Sequence, residues 1–356
     1  METIPFARED PEPDLLPLEE LADCAATVLA RDGKTILSYG SGAGYTPLRE
    51  LIGEWFGVHP YRVVLTNGWL HGFSLLMRNL VQGRTVAVEY PTYNPALKAL
   101  LGAGASLISV VTDEHGLSTD DLQAQLIQYA RPALLYTVPS FQNPTGWTMS
   151  AERRRRVVEL VEAQNRLQVE DILLVEDESY ALTRFEGEIL PALFDHSGKK
   201  TIYSSSFSST VAPGLRVGWF ILPVELAGTL TEAASSTYIT PVLLSQATVF
   251  EFIGRGSLEP HLLRLRELLR ARRDAMLAAL EKHLAGTTWS RPEGGYFVWL
   301  QLPPGTDGRA VLERAQGVSA VPGTEFSSSS NLLRLSYSAV PPDEIDAGIE
   351  RLAAAL

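Results

Sequence analysis

Ser204-Ser-Ser-Phe-Ser-Ser-Thr-Val-Ala-Pro-Gly-Leu-Arg-Val-Gly-Trp219 is the stretch around which the rest of the chain arranges itself. It gathers hydroxyls and one arginine into a turn, and it runs out into an apolar segment, Val217 to Leu222, that reads as a buried strand. Hydroxyl donors beside a bidentate cation suit a phosphate group. Thr201 to Tyr203 reads as the strand entering the turn. Strand, polar turn, strand is how an α/β sheet presents a ligand site at its edge.

Working outward, apolar strand patterns alternate with helical ones over most of residues 60–250, which predicts a mainly parallel α/β sheet sandwiched by helices. Val63-Val-Leu-Thr-Asn-Gly-Trp-Leu-His71 reads as strand, glycine turn and helix, and the backbone N–H groups at Trp69 and Leu70 suit an anion. His71 is expected to be a packed histidine. Tyr93 follows a short strand that starts at Thr85, and an aromatic there is either packing or a platform for a flat ring. Asn143 leaves the strand Leu134 to Pro139 in turn chemistry. Ile172 to Val175 is continuously apolar, as a strand buried on both faces should be, and it ends in Glu176-Asp177-Glu-Ser-Tyr180. A glycine loop, Tyr39-Gly-Ser-Gly-Ala-Gly-Tyr45, has tyrosine where a dinucleotide fingerprint needs its third glycine. A helix is expected from about Leu18 to Arg31, and a long amphipathic helix begins near Glu259 with Leu262, Leu265, Leu269, Met276 and Leu280 on one stripe. In the strand Asn331 to Tyr337, Leu333, Leu335 and Tyr337 share one face and Arg334 falls on the other. A buried arginine needs a partner, either a carboxylate of the protein or one of a ligand.

The 356 residues suggest two domains: a large one over 36–257 and a smaller α+β one over 258–356, completed by 1–35. Net charge of -12 argues against nucleic acid as a partner. The single Cys24 excludes an intramolecular disulfide and fits a reducing compartment. No secretory pattern or membrane-length apolar run is visible, so a soluble cytoplasmic protein without membrane contact is expected, and no metal site.

Several stretches resemble the fold-type I pyridoxal phosphate (PLP) aminotransferases, class I/II. They are Gly44-Tyr-Thr-Pro-Leu-Arg49, Tyr136 to Gly146, Val175 to Tyr180, Ser206 to Gly218, Gly294 to Trp299 and Leu333 to Tyr337. The resemblance is strongest to the 2-aminoadipate and aromatic branch and to the aminotransferase-like half of MocR regulators. It implies a PLP-transferase large domain and a homodimer acting on an α-amino acid and a 2-oxo acid. By the same resemblance, Tyr93 would stack on the cofactor ring, Asp177 would pair with its nitrogen, and Asn143 and Tyr180 would bind its hydroxyl oxygen. Ser206, Ser208, Arg216 and the backbone at Trp69 and Leu70 would hold the phosphate, with Tyr39 reaching that of the partner subunit. Arg334, assisted by Asn143, would clamp the α-carboxylate.

Two departures stand out. Ser209 occupies the position of the family lysine that binds PLP covalently and moves the proton, and a serine hydroxyl does neither near pH 7. PLP would then be held non-covalently or as its adduct with an amino acid. Arg8-Glu9 replaces a family glycine pair at the substrate entrance. Three accounts of Ser209 stand: an engineered change, a natural loss leaving a PLP-binding or amino-acid-binding pseudoenzyme, or a different proton carrier among Tyr180, Tyr39 and His71. Lys199 and Lys200 precede the strand entering the loop and do not replace the lysine by position. MocR relatives carry a DNA-binding module ahead of this scaffold; here the scaffold starts almost at once, so DNA binding is not expected.

Overall fold

A computed structural model describes residues 3–11, 13–128, 132–167, 170–197 and 201–356. Its centre is an eight-stranded sheet whose strands, in spatial order, are Val63–Asn67, Val217–Ile221, Thr201–Ser206, Leu173–Asp177, Leu134–Thr137, Thr85–Tyr90, Ser106–Asp113 and Gly116–Leu117. The five from Thr201–Ser206 to Ser106–Asp113 pair in parallel, as the alternating pattern predicts. Val217–Ile221 runs antiparallel to both of its neighbours.

Consecutive side chains on these strands leave opposite faces, and both faces are covered by helices. Val86, Val88, Leu134 and Tyr136 pack with Phe73 and Leu76 of the helix Trp69–Leu80 and with Leu230 of Val224–Tyr238. On the other face Ala87, Leu135 and Leu174 meet Leu122, Val157 and Val161.

A second body holds a four-stranded antiparallel sheet of Thr288–Trp289, Phe297–Gln301, Leu332–Ser336 and Val321–Pro322. The helices Leu258–His283 and Pro342–Ala354 cover it through Leu262, Leu265, Leu269, Met276, Leu280, Ile345 and Ile349. The stripe expected on the long helix is thus its core face.

The N-terminal residues divide between the two bodies. Ile4 and Phe6 enter the core of the smaller one, and Ile4–Pro5 pairs in parallel with Val318–Ser319. The helix Leu18–Ile36 instead buries Cys24, Val28 and Ile36 among Leu48, Ile52, Ala247 and Phe252 of the larger one. That helix outlasts its expected end at Arg31 because Ile36 is apolar and finds a place in this core. Lys199 and Lys200 lie outside the described residues.

Candidate active site

The sheet register assembles the site. Asn67 pairs with Val217, so the turn after one strand meets the residue before the other, and Gly68 comes to lie against Arg216. A Cβ on Gly68 would stand 2.1 Å from Arg216 Nη2, and Gly68 has a φ of 88° that other residues rarely adopt. Glycine is therefore required for the guanidinium to sit beside the first turn of the helix Trp69–Leu80. Arg216 itself is in the left-handed region, at φ 54°, a strained setting for a side-chain-bearing residue. A Cβ on Gly218 would come within 2.3 Å of the Trp69 nitrogen, so strand and helix start are in close contact. The first N–H groups of such a helix have no partner within it.

Beside this turn, Ser206 Oγ accepts from the Ser208 N–H at 3.1 Å, and it lies 2.9 Å from Ser208 Oγ. The Trp69 indole donates to Ser204 Oγ at 2.8 Å and stacks on Phe73, so its side chain is packed in the core. A cavity of about 260 Å³ opens here, lined among others by Tyr93, Asn143, Asp177, Tyr180, Ser209 and Arg216. Leu70, Ser206 and Ser208 also line it; His71 and Tyr39 do not. His71 packs against Tyr238 with ring centres 4.9 Å apart, as a packed histidine would, and burial lowers its pKa. Tyr39 is 80% exposed on the chain surface.

The acidic run Glu176-Asp177-Glu178 divides its roles by strand alternation. Glu176 accepts from the N–H groups of Leu193 and Phe194, and Glu178 pairs with the buried Arg154 at 3.0 Å. Both are scaffold. Asp177, buried between them, faces the cavity. Its Oδ2 accepts from Tyr136 Oη at 3.1 Å and its Oδ1 from Ser179 N and Oγ at 3.1 and 2.5 Å. All three are neutral donors, and burial pushes the Asp177 pKa up to about 6. A carboxylate in that setting favours a cation.

Across the cavity, Tyr93 meets Trp69 edge-on at 6.1 Å. Tyr180 packs edge-on against Tyr296 and Phe297, and burial raises the pKa of its hydroxyl. Ser209 is buried, its Oγ donating to the Ser179 carbonyl at 2.5 Å while its own carbonyl accepts from Tyr296 Oη at 2.6 Å. No lysine among the described residues lines the cavity.

Arg334 is 1% exposed. Its guanidinium lies over the rings of Phe297 and Phe326, at 4.5 and 5.2 Å from their centres. Nη1 donates to Glu9 and, at 2.9 Å, to Asn143 Oδ1, and Nη2 donates to the Ala7 carbonyl at 3.2 Å. Of the two partners the sequence allows for this arginine, the structure supplies the protein's own carboxylate. Asn143 Nδ2 and Arg334 Nε are buried without a hydrogen-bond partner among the described residues. Sequence reasoning passed over Tyr136 and Ser179 as site residues. It noted Glu9 only for replacing a glycine, and that replacement was the available signal.

Residues 10–352 match the family model for aminotransferase class I and II. The chain is 33% identical to aromatic-amino-acid aminotransferase 1 of Thermococcus litoralis, over 96% of this chain and 85% of that one. It is 34% identical to 2-aminoadipate transaminase of Thermus thermophilus, over 99% and 89%. Among solved structures, alpha-aminoadipate aminotransferase from Thermus thermophilus, complexed with N-(5'-phosphopyridoxyl)-L-leucine, superposes with a TM-score of 0.93 at 33% identity, covering 99% of this chain and 92% of that one. With the two-body α/β fold and a carboxylate-and-arginine cavity at its strand ends, the chain belongs to the class I and II aminotransferases, enzymes of PLP fold type I.

Proposed function

We propose that the cavity holds pyridoxal phosphate, and that Ser209 leaves this chain able to bind the cofactor but without the amine that amino-group transfer requires. The observation that carries the cofactor reading is Asp177, a buried carboxylate whose partners are all neutral and whose remaining need is a cation. A pyridinium nitrogen meets that need. Arg216, the first turn after Gly68, Ser206 and Ser208 would take the phosphate, and Tyr93 would lie along the ring. Bound there, PLP supplies an electron sink for bonds at the carbon bearing the amino group. In the homodimer we propose, the exposed Tyr39 would reach the partner's phosphate. The cell compartment we propose is the cytoplasm; no described helix is long and apolar enough to cross a membrane.

Catalysis needs a base that takes a proton and returns it. The Ser209 hydroxyl is an unsuitable one, and it is already engaged as a donor to Ser179. That engagement favours a second reading, a protein that binds the cofactor or its amino-acid adduct without turnover. Ser209→Lys separates the two. We expect transfer from an α-amino acid to 2-oxoglutarate in the variant, and at least about 10²-fold less in the chain with Ser209, since a positioned base contributes roughly 10²–10⁴. Equal activity in both would overturn the role given to position 209. PLP retained by both with no transfer in either would favour the binding reading. No PLP retained by either would overturn the cofactor assignment.

A further inference from the structure

The carboxylate of Glu9 is bonded to Arg334, the arginine that the family resemblance assigns to an amino acid's α-carboxylate. Nη1 of Arg334 carries two hydrogens, and both are committed, one to Glu9 and one to Asn143. Nη2 gives one of its own to Ala7. A bidentate carboxylate needs two parallel N–H bonds from one edge of the guanidinium. With both Nη1 hydrogens committed, a ligand carboxylate takes the edge joining Nη1 and Nη2 only by displacing Glu9 or Asn143, and Glu9 is the one of the two that carries the same charge as the ligand.

Glu9 is not carried on a loose tail. On one side of it the Phe6 carbonyl accepts from Ser336 N at 2.8 Å, and the Phe6 ring is fully buried in the smaller body. On the other side the Asp10 carbonyl accepts from Ser338 Oγ at 2.8 Å, and the Asp10 side chain is paired with Arg8. Ser336 and Ser338 follow Arg334 on the same chain segment, so Glu9 is anchored to the element that carries its partner. Glu9 and Asp10 both line the cavity.

We propose that Glu9 is a specificity-determining residue, an internal carboxylate that competes with an amino acid for Arg334. The cavity therefore prefers amines with no α-carboxylate over α-amino acids. The proposal rests on the PLP reading above, since it concerns what is attached to the cofactor's carbon. A tethered group already held against its partner competes at an effective concentration of roughly millimolar or more. An α-amino acid at ordinary concentration meets that competitor; an amine of the same side chain does not.

The test compares two stable probes differing only in the carboxylate, N-(5'-phosphopyridoxyl)-L-leucine and N-(5'-phosphopyridoxyl)-3-methylbutylamine. Their affinities are measured by titration calorimetry on the full chain and on Glu9→Ala and Glu9→Gln. The unsubstituted chain is expected to bind the carboxylate-free probe at least as tightly as the leucine probe. Glu9→Ala is expected to tighten the leucine probe by about tenfold or more and to leave the other within about twofold; Glu9→Gln, which keeps a weaker acceptor, falls between. A ratio of the two affinities unchanged in both variants overturns the proposal while leaving the cofactor reading intact. Binding of neither probe to any variant overturns both.

Discussion

At one end of the cavity, Asp177, Arg216 and the first turn of the helix Trp69–Leu80 hold polar groups without charged partners among the described residues. At the other end, Arg334 is bonded to Glu9, Asn143 and Ala7, and Ser209 to Ser179. The two ends are built from the same kinds of group, arginine, carboxylate and hydroxyl. They differ in where the complementary charge comes from. The end we propose for the cofactor leaves it to a ligand, whereas the end we propose for the amino acid has found it within the chain. A polar group left for a ligand weakens the fold slightly and strengthens binding; one satisfied internally does the reverse.

Arginine replacements at the two ends should therefore separate affinity from stability. We expect Arg334→Gln to destabilise the protein by about 2 kcal/mol, because it breaks the pairing of a buried arginine with a partly exposed glutamate and leaves Asn143 and two aromatic faces without their cation. Its effect on PLP affinity should be within about threefold. Arg216→Gln should do the opposite: PLP binding about 10–100-fold weaker, as for loss of a charge-assisted hydrogen bond of about 1.5–3 kcal/mol, with unfolding in denaturant nearly unchanged. Urea unfolding of the cofactor-free proteins and a PLP titration give both numbers. Equal effects of the two replacements on stability would break the comparison.

What could be read from the sequence divides along the same line. The sheet was legible because its strands are apolar on both faces and end in turn residues, as in Ile172 to Val175 before Glu176. The cofactor end was legible because its groups are local, within a few residues of strand ends in short motifs. The pairing of Arg334 was not, because its carboxylate lies 325 positions away. Strand alternation placed Arg334 on the face opposite Leu333 and Leu335, and no periodicity could say that Phe6 would bond Ser336 and bring Glu9 alongside. The acidic run was ambiguous for another reason: three carboxylates in sequence give no sign of which two meet Arg154 and backbone N–H groups in the scaffold.

The unpaired state of Asp177 has a pH signature. Its ordinary value is 3.8 and burial raises it to about 6 in the folded chain, so the folded state keeps a proton that the unfolded state has released. The contribution is present below about pH 4 and lost as pH rises to about 6, and at 1.36 kcal/mol per unit it amounts to about 2–3 kcal/mol. Buried Glu89 and Glu176 are also raised, so the informative quantity is a difference. Stability of the cofactor-free chain minus that of Asp177→Asn should fall between pH 4 and 6.5. A flat difference would mean that Asp177 has a cation partner in the folded chain, and the contrast between the two ends would lose its clearest member.

Ser209 gives the smallest effect and tests where the boundary between the ends lies. Its Oγ is within reach of the cavity, yet its hydrogen goes to the Ser179 carbonyl, and Ser179 is the residue that donates twice to Asp177. The hydroxyl thus stands behind the cofactor end as a brace, without being a ligand of it. Ser209→Ala removes one neutral hydrogen bond and leaves the Ser179 carbonyl without it, for a loss of about 1 kcal/mol in urea unfolding. PLP affinity should stay within about twofold, because the remaining bonds to Asp177 hold Ser179 in place. A tenfold loss of PLP affinity with unchanged stability would assign the hydroxyl to the cofactor, extending the ligand-facing end across the cavity to position 209. A loss of both would mean that the Ser209–Ser179 bond positions Asp177, and that position 209 shapes the end proposed for the cofactor through Ser179.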